Sequence, residues 1–357
     1  MWIVLLLWAG LVHLSVTHTD SLTWLNYLRS RAYRHSYDRS QDSYYSSLQA
    51  ESADLDCPLE CECPAAYPYA MYCHNRNLQH VPFVPTRMKY VYLQNNRITG
   101  IMDGVFDNAT ELVWIILHMN QLRTDRISSK VFSKLSKLEH LFLQYNKLDQ
   151  IPEGLPPSLQ DLRLNHNTIT SVPASSLHGL SHLKSLRLHH NNIKDLDAAL
   201  KPLSSLNILY LSGNQLTKIP DYLPFTLSQL YLEHNQISSI PSSLLKGRPE
   251  LRFVRLSHNN LADAGIPANT FNVSTLLELD LSHNKLERIP AISTSLQNLY
   301  LQGNHIKEFS ISSFCRTVDV TNYSNLHVLR LEANNISARD VPPEALLCLR
   351  KATHINL

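Results

Sequence analysis

The stretch LEHLFLQYNKL, running from Leu138 to Leu148, decides how the chain is read. Leucines stand at Leu138, Leu141, Leu143 and Leu148, and an asparagine at Asn146. The same order, L-x-x-L-x-L-x-x-N-x-L, recurs eleven times between Met88 and Ile336. Its asparagine returns at Asn96, Asn120, Asn146, Asn167, Asn191, Asn214, Asn235, Asn259, Asn284, Asn304 and Asn334. The Leu141–Leu143 pair has period two, so both leucines lie on one face of a short strand and Phe142 on the other. One unit cannot bury its leucines alone. Stacked units join the strands into a parallel sheet and the leucines into one continuous core. The asparagine amide donates and accepts, so a stacked row of them can satisfy backbone groups left bare where each strand turns.

Eleven copies in register are the leucine-rich-repeat signature. The expected fold is an α/β solenoid with a curved parallel β-sheet on its concave face. Extended, polyproline-like and short helical segments are expected outside, with disulfide-capped ends. Successive asparagines are 24, 26, 21, 24, 23, 21, 24, 25, 20 and 30 residues apart, two long repeats following each short one until the last. The short repeats follow Pro-rich phrases: VPFVPTRM from Val81, IPEGLPPSL from Ile151, IPDYLPFTL from Ile219 and IPAISTSL from Ile289. Proline fixes φ and removes an amide donor, so the outer side is expected to be extended there. Long repeats offer an apolar plug instead, at Phe106, Phe132 and Phe271.

Charge is nearly balanced over the 357 residues, with 32 Lys and Arg against 30 Asp and Glu, which indicates no nucleic-acid partner. Residues 1–17, with the run WIVLLLWAGLV, read as a secretory signal peptide, since the apolar run is too short to span a bilayer. Residues 18–56 form a polar tail rich in Ser, Tyr and Arg. Tyr37, Tyr44 and Tyr45 lie beside Asp38 or Asp42 and are candidate sulfotyrosines, although Arg29, Arg31, Arg34 and Arg39 are close by. Cys57, Cys61, Cys63 and Cys73 open a cap over residues 57–87, ahead of the repeats at 88–336. Six cysteines in a secreted chain read as three disulfides, and C-x-C crowds the ligands of a metal site. Cys315 and Cys348 would staple the 30-residue gap between Asn304 and Asn334 within a C-terminal long-loop repeat and cap at 305–357. Asn108, Asn272, Asn322 and Asn335 open N-x-Ser/Thr sequons and are N-glycosylation candidates.

The C-x3-C-x-C-x9-C cap, the long-long-short rhythm and the late cysteine-closed loop together resemble a class II small leucine-rich proteoglycan. Supporting phrases are AMYCHNRNL from Ala70, RMKYVYLQNN from Arg87, GVFDNAT from Gly104, VFSKL from Val131, STLLELDLS from Ser274, LYLQGN from Leu299 and EFSISSFC from Glu308. The resemblance implies a secreted extracellular-matrix protein that binds fibrillar collagen, type I foremost, and regulates fibril assembly and diameter. It implies keratan sulfate on some N-glycans, with Asn108 and Asn272 at family positions and Asn322 in a matching sequon. The pairings Cys57–Cys63, Cys61–Cys73 and Cys315–Cys348 are implied too, as are sulfated tyrosines in the tail. Where the family places charged collagen contacts after the last ladder asparagine, this chain has Asn335 and Ser337.

The residues between paired strand leucines read Tyr92, Ile116, Phe142, Arg163, Arg187, Tyr210, Tyr231, Arg255, Asp280, Tyr300 and Arg330. Tyr and Arg are enriched at binding hot spots. Tyr92, Arg163, Arg187, Tyr210, Tyr231, Arg255, Tyr300 and Arg330 are therefore the candidate concave binding face. At roughly 4.8 Å per strand this row is about 50 Å long, which suits an elongated partner. A second column, His166, His190, His234, His258 and His283, directly precedes the ladder asparagine. It reads as a polar sheet edge; zinc would need converging side chains. No nucleophile elbow, phosphate loop or His-Glu-x-x-His motif occurs, so neither an enzyme nor a cofactor is expected. The alternative to a collagen-binding matrix protein is a secreted trap for a growth factor of the TGF-beta type.

Overall fold

The computed structural model describes residues 56–357; the expected signal peptide and the candidate sulfotyrosines Tyr37, Tyr44 and Tyr45 lie outside the described residues. Thirteen strands of three residues each form one parallel sheet whose spatial order is the order of the chain, β1 to β13. The eleven sequence repeats supply β2 (Tyr90–Tyr92), β3 (Trp114–Ile116), β4 (His140–Phe142), β5 (Asp161–Arg163), β6 (Ser185–Arg187), β7 (Ile208–Tyr210), β8 (Gln229–Tyr231), β9 (Phe253–Arg255), β10 (Glu278–Asp280), β11 (Asn298–Tyr300) and β12 (Val328–Arg330). The other two flank them: β1 (Ala70–Tyr72) inside the N-terminal cap and β13 (His354–Asn356) at the far end. Pairing is in register throughout, for example Leu162 against Leu186 and Leu186 against Leu209.

The strands are short because the sequence alternates only across L-x-L before it turns. At the central position of β1 to β12 the side chain is fully buried, as with Leu141, Leu162, Leu209 and Leu299. Burial of each such side chain contributes about 1.5–3 kcal/mol. Phe106, Phe132 and Phe271 fill the outer layer of the long repeats, and Phe106 and Phe132 stack at 6.2 Å. Phe314 is buried in the same way near the C-terminal loop. Between strands the described chain holds few helical residues. These are 3-10 turns at Thr124–Arg126, Asp263–Gly265, Ile311–Ser313 and Ala338–Asp340, and one α-turn, α1 (Ala345–Cys348). The Pro-rich phrases remain extended or turn-like, consistent with fixed φ and missing donors.

Each ladder asparagine stitches three backbone groups. Asn146 accepts from the Leu122 amide at 2.9 Å and donates to the carbonyls of Leu117 and Leu143 at 3.1 and 3.0 Å. Asn235 does the same with Leu216, Leu211 and Leu232, each at 3.0 Å. The pattern runs from Asn96, which accepts from Leu78, to Asn334, which accepts from Ile306. Immediately before the asparagine the chain enters the left-handed region: φ is 57° at Asn95, 57° at Tyr145, 54° at His234 and 65° at Gly213.

Disulfides Cys57–Cys63 and Cys61–Cys73 lie in the N-terminal cap, and Cys315–Cys348 ties the long loop back to α1. That loop is held further by the Ser324 amide on the Cys348 carbonyl at 2.8 Å and by Arg350 on the Val320 carbonyl at 2.9 Å.

Replacing Asn235 by Ala leaves one buried N–H and two carbonyls without their side-chain partner. The expected cost is about 3 kcal/mol, read as a lowered urea midpoint. An unchanged midpoint would show that the ladder does not hold the array.

Candidate concave binding face

Within each three-residue strand the first and third side chains share the outward face and the middle one enters the core. Tyr92, Arg163, Arg187, Tyr210, Tyr231, Arg255, Tyr300 and Arg330 all occupy third positions, in β2, β5 to β9, β11 and β12, and are half-buried. Ile116 and Phe142 lie on the same face but are only 8% and 6% exposed. For Phe142 the cause is visible: the Arg163 guanidinium sits 3.9 Å above its ring and Trp114 lies beside it at 6.2 Å.

The face changes character along the array. Its N-terminal part is aromatic. Tyr72 stacks on Tyr92 at 4.8 Å, Tyr90 meets Trp114 edge-on at 5.9 Å, and Trp114 packs on His140 at 4.7 Å. From β5 onward arginines, carboxylates and tyrosines share the face. Arg163 is paired with Asp161 on its own strand, with Nε 2.9 Å from Oδ2. Arg187 lies over Tyr210 at 5.2 Å, and Tyr210 stacks on Tyr231 at 4.3 Å with the rings 4° from parallel. Arg255 lies 5.4 Å from the Tyr231 ring centre and is clamped by Glu278 of the next strand, both Nε and Nη2 reaching Oε1 at 2.8 and 2.7 Å. Arg330 is held by Glu332, with Nε 2.6 Å from Oε1.

Burial gives this face unusual protonation. Desolvation raises the Tyr231 phenol and, with neighbouring Tyr210, keeps it neutral. Burial also raises the Glu233 carboxyl, against the opposing hydrogen bond from Ser212. The His189 imidazole is pushed down to about 3, first by burial and then by His190, His166 and Arg187. His118 is pushed down to about 4 by burial and Arg163. The Nδ1 atoms of His118 and His189, and Nε of Arg187, are buried with no hydrogen-bond partner in the protein.

Several of these groups escape a reading by repeat position. Asp161, Glu278 and Trp114 precede the buried strand residue, and His189 and Glu332 follow the second leucine. Period-two alternation puts all of them beside the third-position column, so the signal lay in the same pattern. The histidine column lies at the sheet's edge in two stacks of parallel rings. Among the described residues, no three His, Cys, Asp or Glu side chains are arranged to hold a metal ion. Asn108, Asn322 and Asn335 are exposed and Asn272 is half-buried, all away from the strands.

A continuous sheet of three-residue strands, an asparagine ladder and a disulfide-bonded N-terminal cap define a leucine-rich-repeat protein. Residues 56–85 match the leucine rich repeat N-terminal domain, and 86–154 and 157–216 match the leucine rich repeat, with further repeat matches at 274–287 and 295–317. The functional domain of InlJ from Listeria monocytogenes shares the fold, with a TM-score of 0.60 at 21% identity over 82% of this chain and 63% of that one. Fibromodulin from Bos taurus is 51% identical over 376 residues, all of both chains, and fibromodulin from Gallus gallus is 48% identical over 378. Lumican from Coturnix japonica is 45% identical over 303 residues, 84% of this chain and 88% of the relative. The chain belongs to the class II small leucine-rich proteoglycans, the extracellular-matrix family of fibromodulin. These relatives are structural matrix proteins rather than enzymes. No helix among the described residues is long and apolar enough to cross a membrane.

The depressed His189 site predicts acid sensitivity. Its folded value of about 3 lies below the ordinary 6.5, so protons favour the unfolded chain. The associated stability is complete above about pH 6.5 and falls as pH drops towards 3. At about pH 5 the loss from this site is about 2 kcal/mol. Thermal unfolding of His189→Gln between neutral and acid pH is expected to show a shallower decline than the parent. Parallel curves would remove His189 as the cause.

Proposed function

We propose that this protein is secreted to the extracellular matrix, where it binds fibrillar collagen and limits the lateral growth of fibrils. The observation that carries the reading is the ordered row on the concave face from β5 to β12. Arginines held by Asp161, Glu278 and Glu332 are interleaved there with the stacked Tyr210 and Tyr231. Rings and guanidinium groups fixed by their neighbours lose little side-chain entropy on binding, which favours them as hot spots. A row about 50 Å long matches a rod better than a globular ligand. Family membership supports the same partner. Fibrillar collagen of type I is the first choice, and a growth factor of the TGF-beta type is the alternative.

The supporting modifications belong to the same reading. Residues 1–17 act as the signal peptide and 18–56 as a tail sulfated at Tyr37, Tyr44 or Tyr45. Residues 57–87 close the N-terminal end of the array at 88–336, and 305–357 close the other. Keratan sulfate sits on N-glycans at Asn108, Asn272 or Asn322, with Asn335 a further acceptor. All lie off the strand face, so glycans leave it open.

The test is collagen fibrillogenesis followed by turbidity, with fibril diameters measured afterwards. The mature protein is expected to delay turbidity and give thinner fibrils. Arg187→Ala combined with Tyr210→Ala is expected to weaken collagen binding about tenfold or more while leaving the far-ultraviolet spectrum unchanged. A folded protein with no effect on fibrils, yet forming a saturable complex with a TGF-beta-type growth factor, would replace this reading with the trap.

A further inference from the structure

The histidine column has no part in the collagen reading, and its geometry calls for an account of its own. The residue before each ladder asparagine has a left-handed backbone, where a side chain other than Gly or Asn carries a steric cost. Histidine nevertheless stands there five times, with φ of 53° at His166, 54° at His190, 54° at His234, 53° at His258 and 52° at His283. The repeat brings these rings together at the spacing of neighbouring strands. His234 stacks on His258, and His258 on His283, each at 4.2 Å and within 11° of parallel. His166 stacks on Tyr145 at 4.2 Å and on His190 at 4.4 Å. Gly213 and Gly303 end the two runs; a Cβ at either would come within 2.6 Å of the preceding imidazole's Nδ1. His190, His234, His258 and His283 are exposed along the edge, and His166 is half-exposed.

Parallel rings do not turn their nitrogens towards a common point, so the row is unsuited to a single metal ion. It presents instead two short runs of stacked imidazoles, each repeating at one strand spacing. We propose that this edge binds a linear sulfated polysaccharide in mildly acidic surroundings and releases it at neutral pH. A straight polymer with repeating anionic groups can meet each member of such a row in the same way. A folded acidic protein offers no comparable repeat.

The switch follows from the stacking. Burial and neighbouring histidines lower the His166 and His258 imidazoles below their usual value, while Asp280 opposes this at His258. At neutral pH His166 and His258 are therefore neutral. As pH falls, each added proton is repelled by its neighbours unless an anion lies along the edge. Ligand binding and protonation are thus mutually reinforcing. His189 and Arg187 lie near the first stack and Asp280 near the second. Glu233, next to His234 in sequence, is turned inward onto Ser212.

The probe is heparin, titrated at constant ionic strength at about pH 7.4 and about pH 5.5. The variant carries His234→Asn, His258→Asn and His283→Asn; Asn95 already holds this backbone in the first repeat, so the fold is retained. The parent is expected to gain about tenfold or more in affinity on acidification, with a steeper salt dependence. The variant is expected to lose most of that gain. A control with His80→Asn, His178→Asn and His305→Asn, exposed histidines off the row, is expected to keep it. Equal gains in parent and triple variant, or equal binding of polyglutamate, would overturn the proposal. So would the absence of any gain in a parent that remains folded at the acid pH. None of these outcomes depends on collagen binding, so this test and the fibril test fail separately.

Discussion

The side-chain amide of the ladder asparagine is the interaction on which the rest of the molecule depends. A parallel sheet of three-residue strands has little strand hydrogen bonding per turn. Every turn of the solenoid leaves an amide and two carbonyls facing inward, away from water. A single Asn Oδ1 accepts from that amide, and Nδ2 donates to both carbonyls, as Asn259 does with Ile237, Leu232 and Leu256. No other uncharged side chain of this length except its equivalents in shape offers both functions at the required reach. The leucines supply the free energy of burial, and the amides tie each turn to its neighbours.

That division explains how much was legible in the chain. Leucine period and asparagine recurrence are local and repeated, so the central strands and the core followed from them directly. The end strands did not. In β1 the inward residue is Met71, backed by Cys73, and in β13 it is the exposed Ile355. Neither carries the full motif, because an end strand has a neighbour on one side only and the constraint on its sequence is halved. The disulfide-bonded segment around Cys61 and Cys73 packs into the core cluster and takes over the work of the missing neighbour.

The concave face was half legible for a related reason. The third-position column could be read from one repeat at a time. Arg163 and Arg330 are held by carboxylates two residues away, but other side chains on that face are fixed from the next strand, more than twenty residues away in sequence. Arg255 is clamped by Glu278, 23 residues downstream, and Phe142 is covered by Arg163 from the following strand. Such partners are set by the sum of a variable repeat length and a strand register. A chain with repeats of 20 to 30 residues hides them until the register is known.

The same architecture separates stability from recognition. Core leucines, ladder asparagines and plug phenylalanines consume the positions that stacking requires. The outward positions of each strand, and the turn residue before the asparagine, are left to vary. At the turn that freedom is incomplete, since the left-handed backbone favours Gly or Asn. Histidine in five of eleven such turns therefore reflects a choice that the fold itself does not demand. The ring stacks it builds lie on the edge of the sheet, beside but distinct from the Tyr and Arg row. Two elongated surfaces with different chemistry thus run side by side along one solenoid. One is ordered by ion pairs and stacked tyrosines, and the other is built of stacked imidazoles.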